Sequence, residues 1–255
     1  MPLATVVIVR EPTVTVVARP HFIEPSHLPV QWVGAATDGE RVAEFAGRLR
    51  HMSQSNPAGR ASHEYLENVI AQGQATVFDH AHYGLLFEGV SQALAHELLR
   101  HRPALATAQL SHRYLDDGAS RFVLPPAMSG DGALEQAWTA QIEAAIESYG
   151  ALVSALMTRY AWVDDKVYRR RMARDAARGV LPLSTETRIL VTGSARAWRT
   201  MVARSVGEDE ELEIRRLAVA VLRVMQTEVP VLFGDAEIYM AADRREAARM
   251  GSRSC

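Results

Sequence analysis

The sequence predicts a mixed α/β (α+β) fold: a single domain in which helices pack on a central mixed or antiparallel sheet. Three observations point there. Its 255 residues suffice for one large domain with a sizeable core. Short β-branched runs alternate with longer stretches of helical periodicity. No repeat, long linker or low-complexity segment divides the chain.

Thr5 to Val9 and Thr13 to Val17 are β-branched runs separated by Arg10-Glu11-Pro12, and they read as short strands and candidates for a hairpin. Residues 40–52 and 62–71 have helical character on either side of a polar break, Ser53 to Gly59, that contains Asn-Pro. His82 to Gly89 suits a strand and Val90 to Arg100 a helix, and the chain from Pro103 to Tyr114 is irregular and then extended. Pro125-Pro126 and Ser129 to Gly132 interrupt the chain before its clearest helix. There Leu134, Trp138, Ile142, Ile146, Tyr149, Leu152, Leu156 and Tyr160 recur at spacings of three and four. A second helix, Asp165 to Arg178, carries five arginines. Thr185 to Val191 is strand-like and Ser194 to Ala203 helical, while Glu208-Asp209-Glu210-Glu211 opens another helix in accord with the helix dipole. Val231 to Tyr239 reads as a last strand. The domain is expected to span 1–243, with 244–255 a disordered tail.

Composition excludes several chemistries. The single cysteine, Cys255, allows no internal disulfide, no cysteine-rich zinc site and no placed thiol nucleophile. Of 28 basic residues all but Lys166 are arginine, so lysine-based phosphate loops and Schiff bases have one candidate. A formal net charge of -2 argues against general electrostatic binding of nucleic acid. No signal peptide or membrane-spanning stretch is evident, which places the protein in the cytoplasm. Two readings of the arginine excess stand: a compositional bias of the source genome, and guanidinium forks serving phosphates and flat, oxygen-rich ligands.

Motif by motif, the dull reading often wins. His96 and His101 approach a zinc-protease pattern, but a separation of five residues turns their imidazoles apart on a helix, so no metal site is expected. His80 and His82, two apart, lack a third ligand. No dinucleotide fingerprint, lysine phosphate loop or Gly-x-Ser-x-Gly is present. The remaining signal is Arg100, Arg102 and Arg113 flanking Thr107, Gln109 and Ser111, a donor set suited to a phosphorylated ligand. Ser111 is assigned to binding, because no histidine–carboxylate pair is evident to activate it.

Arg100-His101-Arg102 followed by Gln109-Leu110-Ser111-His112-Arg113-Tyr114 resembles the motif of the flavin-dependent thymidylate synthases. The similarity extends from about Ala43 to Phe233, through Ala43 to Arg48, Gly73 to His80, Ser120 to Pro126, Ala177 to Pro182, Thr185 to Ile189, Arg196 to Arg199 and Glu213 to Ala218. The resemblance implies methylation of a uridine monophosphate at C5. Methylenetetrahydrofolate is the carbon donor, reduced FAD the hydride source and NADPH the reductant of the flavin. It also implies a homotetramer whose subunits share active sites. This route needs no enzyme cysteine, and Cys255 as the lone thiol is compatible with it.

Carried over residue by residue, the resemblance places Thr76, Asp79, Arg100, His101, Arg102, Ser194 and Arg196 at the flavin. It places Glu97, Gln109, Leu110, Ser111, His112 and Arg113 at the nucleotide, with Arg113 as phosphate ligand. Arg188 matches an arginine at the uracil end and is assigned the catalytic role of stabilising negative charge on the ring as C5 becomes nucleophilic.

The departures cluster in the site. The family's Gly-His is Gly73-Gln74, its glutamate is shortened to Asp79, and its flavin-contacting asparagine is Ser194. The family motif has seven residues between Arg-His-Arg and serine; here eight (PALATAQL) separate Arg102 from Ser111. A nucleotide-contacting arginine becomes Ser205, beside Arg204, and the histidine after it becomes Asp209. The favoured reading is a specialised methylase with altered nucleotide choice, such as a UMP methylase of nucleoside-antibiotic biosynthesis. The alternatives are a housekeeping dUMP thymidylate synthase and a catalytically silent flavin- or nucleotide-binding protein.

Overall fold

The structure is a computed structural model describing residues 6–100, 105–111 and 121–251. It is mixed α/β, with eight α-helices and eight β-strands among the described residues. The chain clusters into two compact units, and strands β3 (His82–Ser91) and β6 (Glu186–Ser194) each contribute residues to both. The largest sheet has four strands in the order β2-β3-β6-β4, where β2 is Thr13–Ala18 and β4 is Leu105–Gln109.

The first unit comprises the N-terminal segment to Pro12, Glu88–Arg100 and Gln109–Ile189. Strand β1 (Val7–Val9) does not form a hairpin with β2. It pairs in parallel with β5 (Arg121–Val123), Val7 opposite Arg121 and Val9 opposite Val123. A link of Arg10, Glu11 and Pro12 offers none of the glycine or asparagine residues that tight hairpin turns need. Its route also depends on Gly89: at φ +69°, a Cβ there would lie 2.7 Å from the Glu11 carbonyl oxygen. Phe122, Val123 and Leu124 are fully buried in this unit.

Helix α3 (Gln92–Arg100) follows β3 without a loop, and the Ser91 hydroxyl accepts the Leu94 N–H at 3.0 Å. Helix α4 (Gly132–Arg159) is capped by Asp131, and α5 (Lys166–Ala177) by Asp165. The two pack through Tyr149, Val153, Ala173 and Ala177. The apolar face expected on α4 is covered in part only: Ile142 and Tyr149 are buried, while Leu134 and Leu152 remain exposed.

The second unit includes Thr13–Phe87 and the chain from Leu190 onward. Helix α1 (Asp38–Arg50) begins with a reciprocal capping box: Glu40 N–H donates to Thr37 Oγ1, and Thr37 N–H to Glu40 Oε2. Helices α2 (Ser62–Ala71), α6 (Ala195–Ser205) and α7 (Leu212–Glu228) complete the main layer, around a core containing Leu66, Phe78, Phe87, Trp198, Leu222 and Phe233. The Trp198 indole donates to the Tyr83 carbonyl at 3.2 Å. Glu211 caps α7, so the acidic run precedes that helix and supplies its cap.

Two expectations near the C-terminus are corrected. The strand expected over Val231 to Tyr239 divides into a short helix α8 (Pro230–Phe233) and strand β7 (Glu237–Met240). Pro230 sits at the start of α8, where its fixed φ and missing N–H favour a helical turn. The tail expected to be disordered from Arg244 contains β8 (Glu246–Arg249), antiparallel to β7. Arg223 of α7 pairs with Glu246, and Arg215 with Asp243. A four-residue strand of sequence Glu-Ala-Ala-Arg, without β-branched or aromatic residues, carries no local strand signal of its own. No helix among the described residues is long and apolar enough to cross a membrane.

Candidate active site

The first unit contains a cavity of about 510 Å³. Gln92 and His96 of α3 form one wall, and Gln109, Leu110 and Ser111 at the end of β4 another. The turn after α5 closes it with Arg178, Leu181, Pro182 and Leu183, beside Thr185. Backbone bonds hold this frame together. Gln92 N–H donates to Thr185 O at 3.0 Å, Ala93 N–H to Leu183 O at 3.1 Å, and Leu110 N–H to Arg188 O at 2.9 Å. The cavity therefore gathers three of the residues expected at the nucleotide, and adds Gln92, His96 and Arg178, which sequence reasoning did not assign to a ligand.

Arg178 is the addition with the clearest chemistry. It ends α5, its Nε lies 3.3 Å from Asp175 Oδ1, and its side chain is about half exposed. In the sequence it belonged to the run of arginines on α5 and to the family-like segment Ala177 to Pro182, with no ligand assigned to it. The position of the following turn against the cavity is a tertiary fact that no local signal carries.

The Gln109 amide is fixed within the wall. Its Nε2 donates to Gln92 Oε1 at 3.0 Å and to Thr187 Oγ1 at 3.3 Å. Arg188 and Glu97, expected beside these residues, are not among those lining the cavity. Arg188 is half exposed on β6, with its Nε 3.0 Å from Glu88 Oε1 on β3. Glu97 is partly buried in α3.

The second unit assembles four of the residues expected at the flavin. Thr76 is exposed on a 3-10 turn, Ala75–Asp79, that ends at Asp79. The Arg196 guanidinium grips the Asp79 carboxylate, Nε to Oδ1 at 2.8 Å and Nη2 to Oδ2 at 2.6 Å. The Ser194 hydroxyl donates to Asp79 Oδ1 at 3.1 Å and accepts the Ala197 N–H, capping α6. Burial raises the Asp79 pKa, but the bonds from Arg196 and Ser194 outweigh it and hold the carboxyl below its ordinary value. The cluster thus carries a paired carboxylate and the Ser194 hydroxyl at the N-terminus of α6.

His101, Arg102, His112 and Arg113 lie outside the described residues, as does the side chain of Arg100, whose backbone ends α3. Ser205 is buried at the end of α6, whereas Arg204 and Asp209 are exposed. Among the described residues no group of three His, Cys, Asp or Glu side chains is placed to hold a metal ion.

Fold and cavity define a mixed α/β protein with an open cavity lined by polar and apolar side chains. Comparison with known sequences carries the assignment further. The thymidylate synthase complementing protein family matches residues 33–231. A flavin-dependent thymidylate synthase of Mycobacterium marinum is 39% identical over 237 residues, covering 92% of this chain and 94% of the relative. The enzyme of the same name from Mycobacterium sp. (strain JLS) is 40% identical over 241 residues, and that of Mycobacterium tuberculosis 39% over 237. The chain belongs to the flavin-dependent thymidylate synthase family.

Proposed function

We propose that the protein is a flavin-dependent C5-methyltransferase of a uridine monophosphate, with methylenetetrahydrofolate as carbon donor, and that its nucleotide choice is shifted towards UMP. Family membership over nearly the whole chain supports the reaction class. The shift rests on one observation above all: the nucleotide-contacting arginine of the family pattern is here Ser205, which is 2% exposed and presents no cation to a ligand. The extra residue between Arg102 and Ser111 alters the same nucleotide-binding motif.

In this reading the first-unit cavity takes the nucleotide. Gln109, Leu110 and Ser111 orient it, and Arg178, the cation in the described part of the wall, takes a phosphate oxygen in place of the lost arginine. Glu97, His112 and Arg113 belong to the same proposed nucleotide set, and Arg100, His101 and Arg102 to the flavin set. Thr76, Ser194 and Arg196 join the proposed flavin set: the exposed Thr76 hydroxyl and the Arg196 guanidinium suit an anionic, oxygen-rich group, while the Ser194 hydroxyl, whose proton goes to Asp79, caps α6 and braces that carboxylate. Asp79 holds the Arg196 fork in place for that group. Reduced FAD, when bound, supplies the hydride, and NADPH regenerates it. Arg188 is proposed to stabilise the charge that develops on the pyrimidine oxygens, a role that requires its guanidinium to leave Glu88 and reach a cavity it does not line in this structure. We further place the enzyme in the cytoplasm as a homotetramer with shared sites. The exposed Leu134 and Leu152 on α4, with Trp162 and Val167 nearby in sequence, support an oligomer.

The deciding assay offers UMP and dUMP to the flavin-loaded enzyme with methylenetetrahydrofolate and NADPH. Faster methylation of UMP is expected. A preference for dUMP establishes the second reading, an ordinary thymidylate synthase, which the names of the relatives favour. No methylated product from either nucleotide overturns both and leaves a silent binding protein. In the same assay Arg178→Ala is expected to raise KM for the nucleotide by about 10- to 100-fold, the range of a lost hydrogen bond to a charged group. An unchanged KM removes Arg178 from the phosphate.

A further inference from the structure

We infer that Gln92 is a positioning residue that fixes Gln109 as a hydrogen-bond acceptor facing the cavity. The site would thereby select ligands that present a donor there, a ribose hydroxyl or the imide N–H of the base. The inference rests on the cavity being the nucleotide site.

A primary amide has two N–H donors and one carbonyl acceptor. Both donors of Gln109 are committed, one to Gln92 Oε1 at 3.0 Å and the other to Thr187 Oγ1 at 3.3 Å. Among the described residues its Oε1 has no hydrogen-bond partner. In this arrangement the amide has, among the described residues, an acceptor left to offer and no donor. A phosphate oxygen, itself an acceptor, would be repelled from it, whereas a hydroxyl or imide N–H would be bound.

Gln92 is well placed to impose that orientation. It is the first residue of α3, its backbone N–H is tied to Thr185 O at 3.0 Å, and it lines the cavity beside Gln109. Thr187 is fully buried, so the position of the second partner is fixed as well. Without Gln92 the Gln109 amide can rotate and present its NH2 group instead, and discrimination at this point is lost.

The test is calorimetric binding of UMP, dUMP and 3-methyl-UMP to the flavin-loaded protein. Should the donor be the 2′-hydroxyl, the wild type binds UMP roughly tenfold more tightly than dUMP, about the value of one well-made hydrogen bond. Should it be the imide N–H, UMP and dUMP bind alike and 3-methyl-UMP binds roughly tenfold more weakly. In either case Gln92→Leu is expected to erase the discrimination, and Thr187→Val to reduce it. Gln92→Glu is expected to restore it, because a carboxylate can only accept and so keeps Gln109 as the donor. Melting temperatures show whether each variant is folded. Discrimination that survives both Gln92→Leu and Thr187→Val overturns the assignment, as does a Gln92→Glu variant that fails like Gln92→Leu. A wild type that discriminates among none of the three overturns it too. A wild type that binds none of them overturns the nucleotide reading of the cavity along with it.

Discussion

Replacing Arg188 by alanine is expected to lower kcat by about 10²- to 10³-fold, the usual effect of removing one donor aimed at developing negative charge. Flavin content should be unaffected. The Arg188 side chain pairs with Glu88 across neighbouring strands, Nε to Oε1 at 3.0 Å, and both groups are partly exposed. An exposed pair of this kind contributes little to stability, so a fall in turnover cannot be attributed to unfolding. Glu88 also defines a companion experiment. Glu88→Gln removes the competing charge while keeping the shape, and a guanidinium freed in this way should tolerate the substitution far better than Arg188→Ala does. Single-turnover oxidation of the reduced flavin in the presence of nucleotide and methylenetetrahydrofolate measures the chemical step directly. Unchanged kinetics in Arg188→Ala would remove its assigned role.

The largest loss of stability should follow Arg48→Met. Arg48 and Glu44 lie one turn apart on α1 and are almost wholly buried, at 2% and 0% exposure of their side chains. Arg48 Nε donates to Glu44 Oε1 at 2.7 Å, Nη1 donates to Ser53 O at 3.2 Å, and the guanidinium lies 4.3 Å from the Tyr65 ring centroid. Removing one partner of a buried pair strands the other and costs about 3–5 kcal/mol. For a chain of this size that corresponds to a fall in Tm of roughly 6–20 °C. The double variant Glu44→Leu/Arg48→Met is expected to regain much of the loss, since an apolar pair needs no compensating charge. Glu44 Oε2 already lacks a hydrogen-bond partner among the described residues, which adds to the cost of keeping the carboxylate buried. Thermal unfolding of the two variants tests both statements, and equal losses in each would refute the stranded-charge explanation.

The site was legible unevenly. Gln109, Leu110 and Ser111 were found through a contiguous motif, and the structure places them together on the cavity wall. Thr76, Asp79, Ser194 and Arg196 were also named, but their mutual geometry was not. The carboxylate and the two groups that bind it are separated by 115 and 117 positions. Arg178 and Gln92 were missed, although Arg178 stands in the family-like segment Ala177 to Pro182, because nothing in either residue's own type or spacing points to a ligand. One is an arginine among arginines, and the other a glutamine at a strand–helix junction.

The sequence by itself determined the reaction family, the helices α1 to α7 and most of the strands. Caps such as Thr37, Asp131, Asp165 and Ser194 act within one helical turn, and apolar periodicity is equally local. Tertiary structure alone decided which strands pair. Strand β1 joins β5 across more than a hundred residues instead of turning back on β2, and Glu246–Arg249, which lacks strand-forming residues, becomes a strand because β7 offers it a ladder. It also decided what each arginine does. Arg48 is buried on Glu44, Arg188 is held by Glu88, Arg196 is locked on Asp79, and Arg178 lies in the cavity wall. A guanidinium looks the same in any sequence, and its role is set by the carboxylate or open space that the fold places beside it.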